Sequence, residues 1–153
     1  MSKPPLFKPT AELLDILKSA QHTDTLETYL DDLAEGHGSF ADYYTALPAV
    51  RALSPRTLIA RSGIERTYFY QLVNGRRRPG RDKIIALCLA ARLDLTATQR
   101  GLEIAQAGVL YPKNRRDAIL IFAVRNHLNA LEANDLLDQF GETLLDRDRK
   151  SVV

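Results

Sequence analysis

Apolar residues along this chain recur at spacings of three and four, and no stretch alternates with the period of two that a half-buried strand requires. The pattern predicts an all-α protein. Leu13, Leu14, Ile16 and Leu17 mark a short amphipathic helix that Thr10 would cap, preceded by a lead-in, Lys3 to Pro9, whose prolines oppose helix formation. Leu26, Tyr29, Leu30 and Leu33 share one stripe of a second helix over about 25–35, with Glu27, Asp31 and Asp32 facing water. Gly36-His37-Gly38 stops it. Ser39 can then cap a helix through Phe40, Tyr43, Tyr44 and Leu47, which Pro48 ends.

The middle of the chain is more sharply punctuated. Ser54-Pro55 is a capping residue followed by proline at the first helical position, and Gly63 sits where that short helix must stop and turn. Glu65 to Asn74 carries Phe69 and Leu72 three apart and ends at Gly75, the usual residue for a left-handed helix end. An apolar helix follows from Arg81 to Leu93. Thr96 and Gln99 read as a capping box for a helix to about Ala107, and a further pair is expected over 115–125 and from Asn129, with Glu132 three on, to Phe140. Arg81-Asp82 aligns with Arg116-Asp117 at an offset of 35, superposing Ile84 on Ile119 and Leu93 on Leu128. So few identities hint at a repeat, but similar amphipathic helices also produce them by chance.

Composition narrows the classes. Among 153 residues there is one cysteine, Cys88, so no internal disulfide can form, and no Cys/His cluster is spaced to hold zinc. No apolar run approaches the roughly 18 residues that span a bilayer, and Met1 to Thr10 has prolines where a signal peptide would be apolar, so a soluble cytoplasmic protein is expected. The net charge of +2 conceals a strong asymmetry. Residues 1–50 hold three lysines and eight acids, a net of −5, whereas residues 51–81 hold eight arginines and the lone acid Glu65, a net of +7. The remaining 72 residues cancel. An all-arginine window of this kind is the footprint of a phosphate-binding surface, although a solvated basic face would look the same.

A short helix, a glycine turn and a second short helix can lay one helix across a DNA backbone and the next in the major groove. Leu58, Gly63, Ile64, Phe69, Leu72, Asn74-Gly75 and Arg76-Arg77-Arg78-Pro79 resemble the helix-turn-helix of the Cro/cI (XRE) family of DNA-binding regulators, over about residues 54–107. The family usually has alanine at the position of Ile59, often glutamine at that of Pro55, and a Ser or Thr cap where Glu65 stands. The resemblance implies a lambda repressor-like core over 25–107 with an insertion at about 36–53. It leaves 1–24 as an arm with a short helix, 108–145 as a C-terminal helical pair and 146–153 as a tail. Either Thr25 to Glu35 or Phe40 to Leu47 would take the place of the family's first helix.

On that resemblance Glu65, Arg66, Thr67, Tyr70 and Gln71 would face the bases, Arg66 suiting guanine and Gln71 adenine. Arg56, Arg61, Tyr68, Asn74, Arg76, Arg77, Arg78, Arg81 and Lys83 would meet the sugar-phosphate backbone, positioning rather than specifying. The function implied is a sequence-specific transcriptional regulator, a repressor of phage or bacterial origin, with double-stranded DNA as partner. The competing reading is a helical protein–protein interaction module on the same fold, antitoxin-like or a defence-system adaptor. Helices after Leu93 either form a homodimer platform or complete the monomer core, and the acidic N-terminal region could bind a basic partner or shield the arginines. His22, His37 and His127 are scattered, and Cys88 falls on an apolar face, so no enzyme, cofactor or metal site is expected.

Overall fold

In a computed structural model the protein is described over residues 10–19, 23–27, 30 and 39–145. Every regular element among these residues is helical: α1 (Thr10–Ser19), α2 (Phe40–Ala46), α3 (Pro48–Arg51), α4 (Pro55–Ser62), α5 (Arg66–Val73), α6 (Arg81–Ala90), α7 (Leu95–Ile104), α8 (Arg115–Arg125) and α9 (Ala130–Gln139). Residues 23–27 and 30 are helical too. The rest of the helix expected over 25–35, the proline lead-in, the Gly36-His37-Gly38 stop and the tail lie outside the described residues. No described helix is long and apolar enough to cross a membrane.

Local capping chemistry decides most boundaries. Ser39 and Ser54 accept hydrogen bonds from the Asp42 and Thr57 amides, and Pro55 opens α4 where no amide hydrogen is needed. Asn129 and Glu132 close a complete capping box on α9. The box expected at Thr96 and Gln99 is absent. Asp94, two residues before Thr96, caps α7 instead, accepting from the Ala97 amide, and Gln99 is drawn away to pair with both backbone groups of Leu110. The described part of the segment expected as an insertion, 39–53, packs into the core. Phe40, Tyr43, Tyr44 and Val50 are all buried, α2 packs on α5 and α7, and the Tyr44 hydroxyl donates to the Leu87 carbonyl.

The core is built around α6. From Lys83 to Ala90 every residue is buried, as expected for a helix whose apolar side chains leave no wet face. It packs against α4, α7, α8 and α9, so the C-terminal pair shares one hydrophobic core with the segment before it.

The offset of 35 is a structural repeat. Gln99 ties to Leu110 as Asn134 ties to the Leu145 amide; Arg92 and His127, both at φ 55°, turn the two hairpins in the same way. Arg81 donates to the Gly108 and Val109 carbonyls, and Arg116 to those of Thr143 and Leu144. The units are then joined reciprocally. Arg81 grips Asp117 through two hydrogen bonds of 3.0 and 2.9 Å, and Arg116 grips Asp82 through two of the same lengths. When residue i of one copy meets j of the other and j meets i, the copies are related by a two-fold rotation. Accordingly α6 touches α9 and α8 touches α7.

Burial alone would raise the Asp117 carboxyl, but hydrogen bonds from Arg81 and the Tyr111 amide, with the charges of Arg81 and Arg116, outweigh it and lower the pKa. A carboxyl depressed in the fold stabilises it above the unfolded pKa of about 3.9 and loses that contribution as pH falls through the folded value. Asp117→Asn should cost about 2 kcal/mol at neutral pH, the range for hydrogen bonds to charged groups. The gap between variant and wild type in urea melts should narrow on acidification below about pH 4. A pH-independent gap would contradict the assignment.

Candidate nucleic-acid interface

Two short helices, α4 and α5, are joined by three residues, Gly63-Ile64-Glu65. Gly63 ends α4 at φ 69°, where a side chain is strained, and its amide donates to the Ile59 carbonyl. Ile64 is buried and its amide donates to the Ser62 hydroxyl, which turns the chain sharply inward. Glu65 then caps α5, its Oε2 accepting from the Tyr68 amide at 3.1 Å. A carboxylate performs here the task usual for a serine or threonine, and it suits the positive end of the helix. Glu65, expected among the base-facing residues, is half-buried and holds the start of the helix.

Phe69 and Leu72 anchor α5 in the core, leaving Arg66, Thr67 and Tyr70 exposed and Gln71 at the margin. The Arg66 guanidinium lies over the Tyr70 ring, 5.9 Å from its centroid, and that ring meets Phe69 edge-on at 5.5 Å. The outward face therefore presents a guanidinium, a hydroxyl, a phenol and an amide side by side on a rigid helix.

Beyond α5, the Asn74 carboxamide oxygen accepts from the Arg76 amide, and Gly75 at φ 83° turns the chain out. The Arg77 amide donates back to the Gln71 carbonyl, fixing this loop to the helix it follows. Arg76, Arg77 and Arg78 are all exposed. Arg56 is exposed on α4, and Arg61 reaches the Ala90 carbonyl at 3.4 Å.

Two expected backbone contacts fall elsewhere. Arg81 spends Nε and both terminal nitrogens on Gly108, Val109 and Asp117, so its charge serves the joint between repeats. Lys83 is 6% exposed, with its ammonium 5.7 Å from the centroid of the half-buried Tyr68 ring. Asp117, the counterpart of Arg81, was not among the residues expected at a site. The signal was present in the 35-residue offset, which pairs each Arg-Asp dipeptide with the other. Cys88 is fully buried and its thiol is pushed up to about 12 by that burial.

Among the described residues no cluster of His, Cys, Asp and Glu could hold a metal ion. Comparison of the chain with family models, with curated proteins and with solved structures finds no match.

Because α5 is held by one cap and two apolar anchors, Glu65→Ala should lower stability by about 1 kcal/mol, a typical cap loss, and Leu72→Ala by about 2–5 kcal/mol, a typical core truncation. Chemical denaturation of the purified variants measures both. A neutral Leu72→Ala would mean that α5 is not anchored as described.

Proposed function

We propose that this protein binds double-stranded DNA as a sequence-specific transcriptional regulator, α5 reading the major groove and α4 crossing the backbone. The observation that carries the reading is the outward face of α5 with its arginine loop: Arg66, Thr67, Tyr70 and Gln71 exposed or marginal, anchored by Phe69 and Leu72, and followed by three exposed arginines. Arg66 and Gln71 carry the bidentate donor and acceptor chemistry that distinguishes guanine and adenine edges. Arg76, Arg77 and Arg78, with Arg56 and Arg61 on α4, supply charge for phosphates. The resemblance of this segment to Cro/cI-type helix-turn-helix proteins points the same way, and repression is the regulatory direction that resemblance suggests.

Selection of bound sequences from a random pool, followed by titration of the winner, tests the proposal. If about five arginines neutralise phosphates, log affinity should fall against log salt with a slope near −4 to −5, at about 0.9 per contact. Arg77→Ala should weaken all sequences alike and flatten that slope by about 1. Arg66→Ala should cost about 1–3 kcal/mol of discrimination at one base pair. Equal losses on selected and random DNA for Arg66→Ala would remove α5 as the reading element. Enrichment of no sequence at low salt would favour a protein-interaction module, for which the exposed Tyr111, Leu131 and Phe140 are suited.

A further inference from the structure

Arg66 opens α5 and Tyr70 stands one turn behind it. Side chains of a helix lean toward its N-terminus, so residue i+4 reaches back beneath residue i, and here the Tyr70 ring comes under the guanidinium, its centroid 5.9 Å from Cζ of Arg66. The ring is itself held. Phe69, 2% exposed and anchored in the core, lies 5.5 Å from it with the ring planes 75° apart, an edge-on contact. A fixed position in the core is thus passed through Phe69 and Tyr70 to a guanidinium at the surface. That guanidinium makes no hydrogen bond or ion pair among the described residues. Glu65, its neighbour in sequence, is engaged at the start of the helix, where it accepts from the Tyr68 amide. Arg81, Arg115 and Arg116, by contrast, each hold a carboxylate. Arg66 is therefore stacked, yet keeps all its donors for a ligand.

We propose that Tyr70 is a positioning residue rather than a base contact: its ring presets Arg66 for bidentate engagement of a guanine, and its hydroxyl does not read the DNA. This rests on the DNA-binding reading above and adds to it the base that the start of α5 selects and the group that makes the selection sharp. A guanidinium is planar and carries its five N–H groups around its edge, so a ring against one face leaves the edge free. Two parallel N–H groups on that edge match the O6 and N7 acceptors of guanine in the major groove. An arginine free in solvent loses rotamer freedom when it docks, whereas one already laid on a ring has given up much of it beforehand. The attraction is between the cation and the ring face, which tyrosine shares with phenylalanine, so the phenol oxygen is dispensable.

Two measurements on the full-length chain test this. In the free protein, the NMR signals of the Arg66 side chain, assigned by their loss in Arg66→Lys, should be shifted upfield by the Tyr70 ring current relative to those of exposed Arg77. The shift should persist in Tyr70→Phe and collapse in Tyr70→Leu. An unshifted Arg66 in the wild type, which needs no variant to fold, would overturn the proposal. On DNA, the base pair whose discrimination Arg66→Ala removes should contain guanine, and any other pair would overturn the assignment. Preference for that guanine over adenine should fall about 2–5-fold in Tyr70→Leu, as the loss of an exposed cation–π contact implies, and stay unchanged in Tyr70→Phe. Tyr70→Leu should cost nothing further when Arg66 is already alanine. Equal losses in Tyr70→Phe and Tyr70→Leu would make the hydroxyl a direct contact, and additive losses would make Tyr70 independent of Arg66; either result refutes positioning while leaving DNA binding intact. A wild type that selects no sequence would instead end the DNA reading and the guanine assignment together, and the ring-current shift would still decide whether Tyr70 positions Arg66.

Discussion

Arginine and aspartate stand side by side at the start of α6 and again at the start of α8, and each arginine takes the aspartate of the other pair. The exchange is two-fold symmetric, bidentate at both ends and partly shielded from water, and bidentate geometry gives a guanidinium–carboxylate pair direction as well as attraction. Each arginine also donates to two carbonyls of the loop that ends its own hairpin. One side chain thus ties a hairpin shut and links it to its twin. Among the described residues no buried side-chain nitrogen or oxygen lacks a partner, so the polar groups within this joint are not left uncompensated.

That joint has consequences for the surface. α6 is buried all round because α8 and α9 close it on one side while α4 and Tyr44 close it on the other. α4 therefore rests on a floor assembled from both repeats, α6 from the first and α9 from the second. The turn at Gly63 to Glu65 hands this rigidity to α5, whose two apolar anchors and carboxylate cap leave it little freedom to rotate. On the proposed reading, a face that presents Arg66 and Gln71 to base edges would gain from such a mounting, since misplacement of a recognition group by an ångström weakens what it can discriminate.

The C-terminal half is therefore more than a support added behind a small domain. Both of its helices pack on α6, and α9 also meets α4, so the floor beneath the two short helices draws on both repeats.

What the sequence determined by itself is local. Helical periodicity, the caps at Ser39, Ser54 and Asn129, the proline at the head of α4 and the glycine at its foot were all legible, because caps and turns are decided by neighbours within a few residues. Where two local options competed, as between Asp94 and Thr96, the carboxylate took the cap, and Gln99 was claimed by a loop eleven residues away. The arginines show the limit most clearly. Arg76 to Arg78 and Arg81 belong to one run of charge, and nothing within that run tells which of them faces solvent. Only the tertiary structure separated them, because a guanidinium is satisfied by any carboxylate or carbonyl the fold brings within 3 Å, and for Arg81 that carboxylate is 36 residues further along the chain.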